Sequence, residues 1–205
     1  MKPFDILSEK TRDILIQLEN RDTKERKDGV PQSKRLRQIP RVTGEFLFQF
    51  LSVFSQGRQN LKGIEIGSSG GYSTLWQGLA LKSTANGHLT TFDVDPVKIE
   101  LAQKNVNETQ LESYVTVVHQ DALEYINTSE NKSISYVFLD AEKEDYINFF
   151  KALLPKMEKG AVLIADNIIS HNEYLQSFVD FASEQENLLV NVLTIGKGLA
   201  FIRWT

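Results

Sequence analysis

Two aspartates, Asp140 and Asp166, each close a short apolar run, 134–139 and 161–165, and Asn167 adjoins the second. Runs this short, rich in β-branched and aromatic residues, read as buried strands. Both acids therefore stand at strand carboxyl ends, the edge where open α/β sheets bind ligands. Carboxylate and amide oxygens are hard donors that suit Mg2+, Mn2+ or Ca2+ and not a soft metal. Lys143, three residues after Asp140, can set an amine over the same place and accept a proton there if its pKa is lowered. Either aspartate alone is as well explained as a helix cap, and Lys143 alone as a surface lysine. Their joint position is what points to a cation site. His88, His119 and His171 lack metal-ligand spacing, and only His171, close to Asp166-Asn167, is placed to touch a substrate.

A second constellation begins with Glu65-Ile66-Gly67-Ser68-Ser69-Gly70-Gly71-Tyr72-Ser73, a glycine-rich turn between a strand and a helix. Such a turn admits a ligand close to the backbone, and a helix amino end favours an anionic group. The dinucleotide fingerprint requires glycine where Ser69 stands, so a pyrophosphate site is disfavoured. A turn that merely packs helix on strand is the alternative. The next strand ends at Asp93, where doubly wound nucleotide binders hold a ribose, and the two matched strand ends favour a nucleoside. Gln120-Asp121-Ala122 follows the third strand and either borders an adenine or caps a helix. Asp95, directly before Pro96, reads as a helix cap.

The elements that must position these residues follow from periodicity. Helices are expected over about 4–19, 45–54, 72–81, 96–106, 122–126, 145–154 and 174–183, with strands at 63–66, 88–92, 114–118, 134–139, 161–165, 188–194 and 199–204. Alternation of strand and helix from Lys62 onward predicts an α/β fold, a doubly wound and mainly parallel seven-stranded sheet. The last two strands are joined only by Ile195-Gly196-Lys197-Gly198, too short for a parallel crossover, so they form an antiparallel hairpin. The chain of 205 residues suits one domain, 1–205, in which 1–41 comprises the first helix and an irregular basic connection. That first helix could cover the acceptor site or meet a second copy in a homodimer.

Hydrophobic content of 41% and charged content of 24% are ordinary for a soluble globular protein, and no apolar run is long enough to span a bilayer. The acidic residue in Met1-Lys2-Pro3-Phe4-Asp5 argues against a secretory signal. Zero cysteines exclude disulfides, zinc-thiolate sites and thiol catalysis, and are consistent with the cytoplasm. The net charge of −4 conceals an asymmetry: 21–41 carries eight Lys/Arg against three Asp/Glu, a net +5. This stretch is either a solvated loop or a grip for an anionic substrate or RNA, and the solvated loop is preferred.

With these blocks in order, the chain resembles the cation-dependent O-methyltransferases, which include the catechol and caffeoyl-CoA O-methyltransferases. The resemblance is carried by Glu65-Ile66-Gly67 with Gly71-Tyr72-Ser73, by Asp93, by Leu139-Asp140-Ala141-Glu142-Lys143, by Ala165-Asp166-Asn167 and by Gly196-Lys197-Gly198-Leu199. It implies a class I methyltransferase fold binding S-adenosylmethionine. Its methionine part would lie near Glu65, Gly67, Ser68 and Ser73, its ribose on Asp93 and its adenine by Asp121 and Ala122, with Glu142 as a further contact. It further implies a divalent cation, Mg2+ before Mn2+ or Ca2+, on Asp140, Asp166 and Asn167, with Lys143 catalytic and His171 at the substrate. After Asn167, Ile168-Ile169-Ser170-His171 replaces the tryptophan-containing run of the plant enzymes, so the acceptor pocket differs from theirs. The acceptor implied is a small catechol or phenol, and a hydroxylated tRNA uridine is the alternative. A nicotinamide-dependent oxidoreductase is the reading that Ser69 disfavours.

Overall fold

The computed structural model describes residues 1–205. Seven strands, β1 (Lys62–Ile66), β2 (His88–Asp93), β3 (Val115–His119), β4 (Ile134–Leu139), β5 (Met157–Ala165), β6 (Leu188–Leu193) and β7 (Leu199–Trp204), form one sheet in the order β3-β2-β1-β4-β5-β7-β6. Strands β1 to β5 are parallel, and β7 runs antiparallel to both β5 and β6. The expected hairpin and the doubly wound sheet are both present. Connections leave β1 toward β2 on one side while β4 lies on the other, so the crevice opens where the strand order reverses.

Side chains alternate across the sheet and build two cores. Tyr136, Phe138, Val162 and Ile164 face one core with α1 (Glu9–Lys27), α2 (Arg41–Phe54), α3 (Tyr72–Thr84) and α4 (Pro96–Glu108). Val137, Leu139, Leu163 and Ala165 face the other, with α5 (Ala122–Thr128), α6 (Tyr146–Leu153) and α7 (Asn172–Ser183). Strands buried on both faces do not alternate in polarity, and β4 is buried at every position and apolar apart from Ser135. No helix is long and apolar enough to cross a membrane.

The amino-terminal helix departs from its expected bounds of about 4–19. Pro3–Ile6 is a separate 3-10 turn, and α1 begins after Ser8, whose hydroxyl oxygen accepts from the Thr11 N–H at 3.2 Å. It continues to Lys27, through residues expected to be irregular. The extension is polar: Arg21–Glu25 and Asp22–Arg26 pair at 2.7 and 2.8 Å one turn apart. Asp22 and Glu25 also accept the backbone N–H groups of Arg37 and Leu36 at 3.1 and 2.9 Å. Apolar periodicity stops at Leu18 because this later part of the helix docks through hydrogen bonds. Ile14, Leu15 and Leu18 lie in the chain's own core, so the apolar stripe of α1 is already covered.

Glu19 fastens α1 to α2 and α3. It accepts from Arg41 Nε at 2.9 Å and Nη2 at 2.5 Å, and from the Tyr72 hydroxyl at 2.5 Å. Burial raises its carboxyl pKa, but the Arg41 and Tyr72 hydrogen bonds outweigh that and hold it below the ordinary value. A depressed carboxylate contributes stability that is present above its unfolded pKa and is lost as pH falls through the folded value. Glu19→Ala is expected to cost about 1–2 kcal/mol at pH 7. In urea melts, the difference from wild type should narrow below the carboxylate range.

Candidate active site

A cleft of about 1000 Å3 opens along the carboxyl edge of β1, β2, β3 and β4, large enough for a nucleoside and a small second molecule. Gly67, Ser68, Ser73, Asp93, Asp121, Ala122, Asp140, Glu142, Lys143, Asn167 and His171 all line it. A smaller apolar groove of about 510 Å3 runs along α2 between Val42 and Phe54, and none of these residues reaches it.

At one end the β1–α3 turn is shaped by backbone conformation. Gly67 has φ +98, and a Cβ there would collide with the carbonyl oxygen of Asp140. The turn and the Asp140 loop can approach this closely only because position 67 lacks a side chain. Ser69, also left-handed at φ +45, donates its N–H to Asp93 Oδ2 at 2.8 Å, while Asp93 Oδ1 accepts from the Asp95 N–H at 3.0 Å. Asp93 is thereby held in one orientation at the cleft wall. Asp95 is a cap, accepting from the Val97 and Lys98 N–H groups at 2.9 and 3.3 Å. Asp121 is both a cap, accepting from the Leu123 N–H at 2.9 Å, and a lining residue. The Ser68 hydroxyl is buried and has no hydrogen-bond partner within the chain.

Glu65, expected near the methionine part of the cofactor, has a wholly buried carboxylate that does not line the cleft. It accepts from the Thr74 hydroxyl, from Gln77 Nε2 at 2.7 Å and from the Thr91 hydroxyl at 2.6 Å. Burial raises its pKa against these hydrogen bonds. In this structure Glu65 ties α3 to β1 and β2 from within.

At the other end lie the residues expected to hold a cation. Asp166 is fully buried behind Asn167, which takes a left-handed φ of +70 tolerated by asparagine. Asn167 Nδ2 donates to Asp140 Oδ1 at 2.8 Å and to Asp166 Oδ2 at 3.2 Å. Asp166 Oδ1 has no hydrogen-bond partner. Burial first, and then the Asp140 charge, push the Asp166 carboxyl up to about 7. A buried, partly orphaned carboxylate beside a second carboxylate and an amide is a donor set that a hard divalent cation would satisfy. No group of three or more His, Cys, Asp or Glu side chains is arranged for a metal, and Asn167, whose Nδ2 faces both carboxylates, could join Asp140 and Asp166 as a ligand only by turning its Oδ1 toward them.

Lys143 donates to Asp140 Oδ1 at 3.0 Å, to the Ala141 carbonyl at 2.9 Å and to the Tyr146 hydroxyl at 3.1 Å. All three donors of its ammonium are engaged, so it could accept a proton only as the neutral amine, after losing one of these N–H protons. Tyr146, buried on α6, donates in turn to the Asp166 carbonyl at 3.1 Å. His171 Nδ1 lies 2.9 Å from the Ser170 hydroxyl. Its pKa is lowered by burial and by the charges of Lys143 and Lys197.

Several lining residues were not singled out from sequence. Arg37 pairs with Glu142 through two hydrogen bonds, which hold Glu142 below the ordinary carboxylate range. The Leu36 carbonyl accepts from the Ser69 hydroxyl at 2.5 Å. Residues 35–39 therefore lie along the cleft as a strap, and Glu142 is a latch for it. Arg21, Arg26, Arg37 and Arg41 of the basic stretch are all ion-paired within the chain. Lys197 also lines the cleft; its block, Gly196-Lys197-Gly198-Leu199, was part of the family resemblance, but no role was assigned to the lysine from sequence.

Residues 64–168 match a family model described as a methyltransferase domain. Over 130 residues the chain is 31% identical to the catechol O-methyltransferase of Niastella koreensis, covering 62% of this chain and 58% of that protein. Over 121 residues it is 31% identical to the catechol O-methyltransferase of Mycobacterium tuberculosis, covering 59% of this chain and 54% of that one. The match thus spans little more than half of either relative. In three dimensions the chain superposes on a Podospora anserina methyltransferase solved with SAH bound, with a TM-score of 0.80 at 16% identity over 97% of this chain and 89% of that one. At that identity the likeness is one of fold.

Proposed function

The chain belongs to the methyltransferase-domain family, and from that premise we propose that it moves a methyl group from S-adenosylmethionine to a hydroxyl of a small catechol-like or phenolic acceptor, assisted by a divalent cation. The observation that carries this reading is one cleft with an orphaned Ser68 hydroxyl and a fixed Asp93 at its nucleoside end, and Asp140, Lys143 and Asn167 at the other, where the partly orphaned Asp166 lies buried beneath Asn167 and does not itself line the cleft. The named activity of the catechol O-methyltransferase relatives supports the same reaction.

Transfer from a sulfonium to oxygen needs the two reacting atoms aligned and the hydroxyl relieved of its proton. Asp93 is oriented to accept from ribose hydroxyls, and the Gly67 turn lets the methionine part approach the backbone. Asp140, Asp166 and Asn167 would hold the cation, which would supply Lewis-acid stabilisation of negative charge on the acceptor oxygen. Lys143, held by Asp140 and Tyr146, would take up the acceptor's proton as the neutral amine, having first given one of its own protons to solvent. His171, which lines the same cleft, would contact the acceptor ring. Residues 1–205 would work as a single unit in which the 35–39 strap covers the cofactor end, and the cysteine-free composition suggests the cytoplasm as its place of work.

A hydroxylated tRNA base remains the second acceptor. The internal pairing of four arginines in the basic stretch favours the small molecule, and steep salt sensitivity on RNA alone would reverse that preference. Thermal shift gives a direct test of the cofactor. At a hundredfold excess over Kd, S-adenosylhomocysteine should stabilise the protein by about 2.7 kcal/mol, whereas NAD should leave its melting temperature unchanged. Stabilisation by NAD alone would overturn the assignment.

A further inference from the structure

The Ile195–Gly198 turn between β6 and β7 meets the loop that follows Asn167. The Lys197 carbonyl accepts from the Ile169 and Ser170 N–H groups at 3.1 and 3.0 Å, and the Gly198 carbonyl accepts from the Ile168 N–H at 3.0 Å. Gly196 and Gly198 are left-handed, at φ +57 and +89. A Cβ on the first would strike Thr43, and one on the second would strike Ile169. Lys197 is therefore presented from a turn that has little freedom to move.

Three lysines line the cleft. Lys98 donates to the Ser33 carbonyl at 3.4 Å, and Lys143 is paired with Asp140. The half-buried Lys197 ammonium takes part in none of the chain's ion pairs or side-chain hydrogen bonds. It nevertheless stands near enough to the reacting end for its charge to act on both Asp166 and His171. A lysine on a flexible four-carbon stem, fixed at its root and lacking a carboxylate partner, is suited to meet an anion arriving with the ligand.

We propose that Lys197 selects acceptors by charge, pairing with a carboxylate carried on the ring of the catechol or phenol whose hydroxyl lies at Asp140, Asp166 and Asn167. This rests on the reaction proposed above and adds the class of acceptor, a small aromatic carboxylate. Lys197 does not touch the reacting oxygen, so its contribution should appear mainly in KM for the charged acceptor.

The test compares 3,4-dihydroxybenzoate with catechol on wild type, Lys197→Gln, Lys197→Glu and Lys197→Arg. A lost charge-assisted contact should lower kcat/KM for the benzoate relative to catechol about tenfold in Lys197→Gln and further in Lys197→Glu, with Lys197→Arg restoring much of it. Calorimetric binding of the benzoate to the S-adenosylhomocysteine complex in Mg2+ buffer should weaken in the same order. A parallel fall for both acceptors would mean that Lys197 only balances the Asp166 charge, and would overturn the proposal. So would benzoate binding that is indifferent to residue 197, or methylation of RNA with neither small acceptor bound. If wild type binds the benzoate through Lys197 but methylates neither compound, the reaction is wrong and the anion site stands.

Discussion

Replacing Asp166 by alanine is expected to reduce methyl transfer at least about 10²–10³-fold, the scale of losing a preorganised charge-stabilising group at a reacting centre. Asp166 is buried, and one of its oxygens lacks a partner within the chain. A ligand of opposite charge is what would make that position favourable, since burial and Asp140 otherwise raise its pKa to about 7. The sign follows from that raised value: without cation, Asp166 contributes stability that is present below its unfolded pKa and is lost as pH rises through the folded one. Mg2+ should therefore raise the melting temperature of wild type at pH 8 and leave Asp166→Ala unchanged. Cofactor binding, at the other end of the cleft, should survive in the variant. Labelled-methyl assays with and without chelator, read beside these melts, decide the matter. Transfer by Asp166→Ala at the wild-type rate in chelator would remove the cation from the reaction.

Glu65→Ala should lower stability by about 3 kcal/mol, because the hydroxyls of Thr74 and Thr91 and the amide of Gln77 would lose their acceptor inside the protein. For a chain of this size that is roughly 6–12 °C in melting temperature. Glu65→Gln keeps the shape and removes the charge. Since burial raises the Glu65 pKa, wild type should lose stability relative to Glu65→Gln as pH climbs through the raised value, the opposite slope to that of Glu19. If Glu65→Gln melts like wild type yet fails to bind S-adenosylhomocysteine, Glu65 reaches the cofactor and its internal role is wrong.

These two residues show how differently position and environment are encoded. Asp166 was legible because a buried apolar strand announces its own end, and an acid at that end sits at the ligand-binding edge in any open α/β sheet. Glu65 has the same kind of address, inside a strand that leads into a glycine turn, but which way its side chain points depends on pleat and neighbours. Thr74 comes from a helix nine residues on and Thr91 from the adjacent strand. Nothing in the local pattern declared that they would converge on it. The first helix was read too short for a related reason: periodicity registers apolar docking, whereas Asp22 and Glu25 dock through hydrogen bonds to residues 37 and 36.

What the sequence determined by itself was therefore the order of elements, the antiparallel hairpin, and the placing of Asp93, Asp140, Asp166 and Asn167 at one edge. Each follows from local periodicity or from chain length between strands, and neither requires knowledge of a distant partner. Tertiary structure alone decided that Glu65 turns inward, that Arg37 latches a strap onto Glu142, that Lys143 has all its donors occupied, and that Lys197 faces the cleft without a counter-ion. Those are properties of side-chain contacts between residues far apart in the chain, where the hydrogen bond or charge a group finds is set by packing and not by its neighbours in sequence.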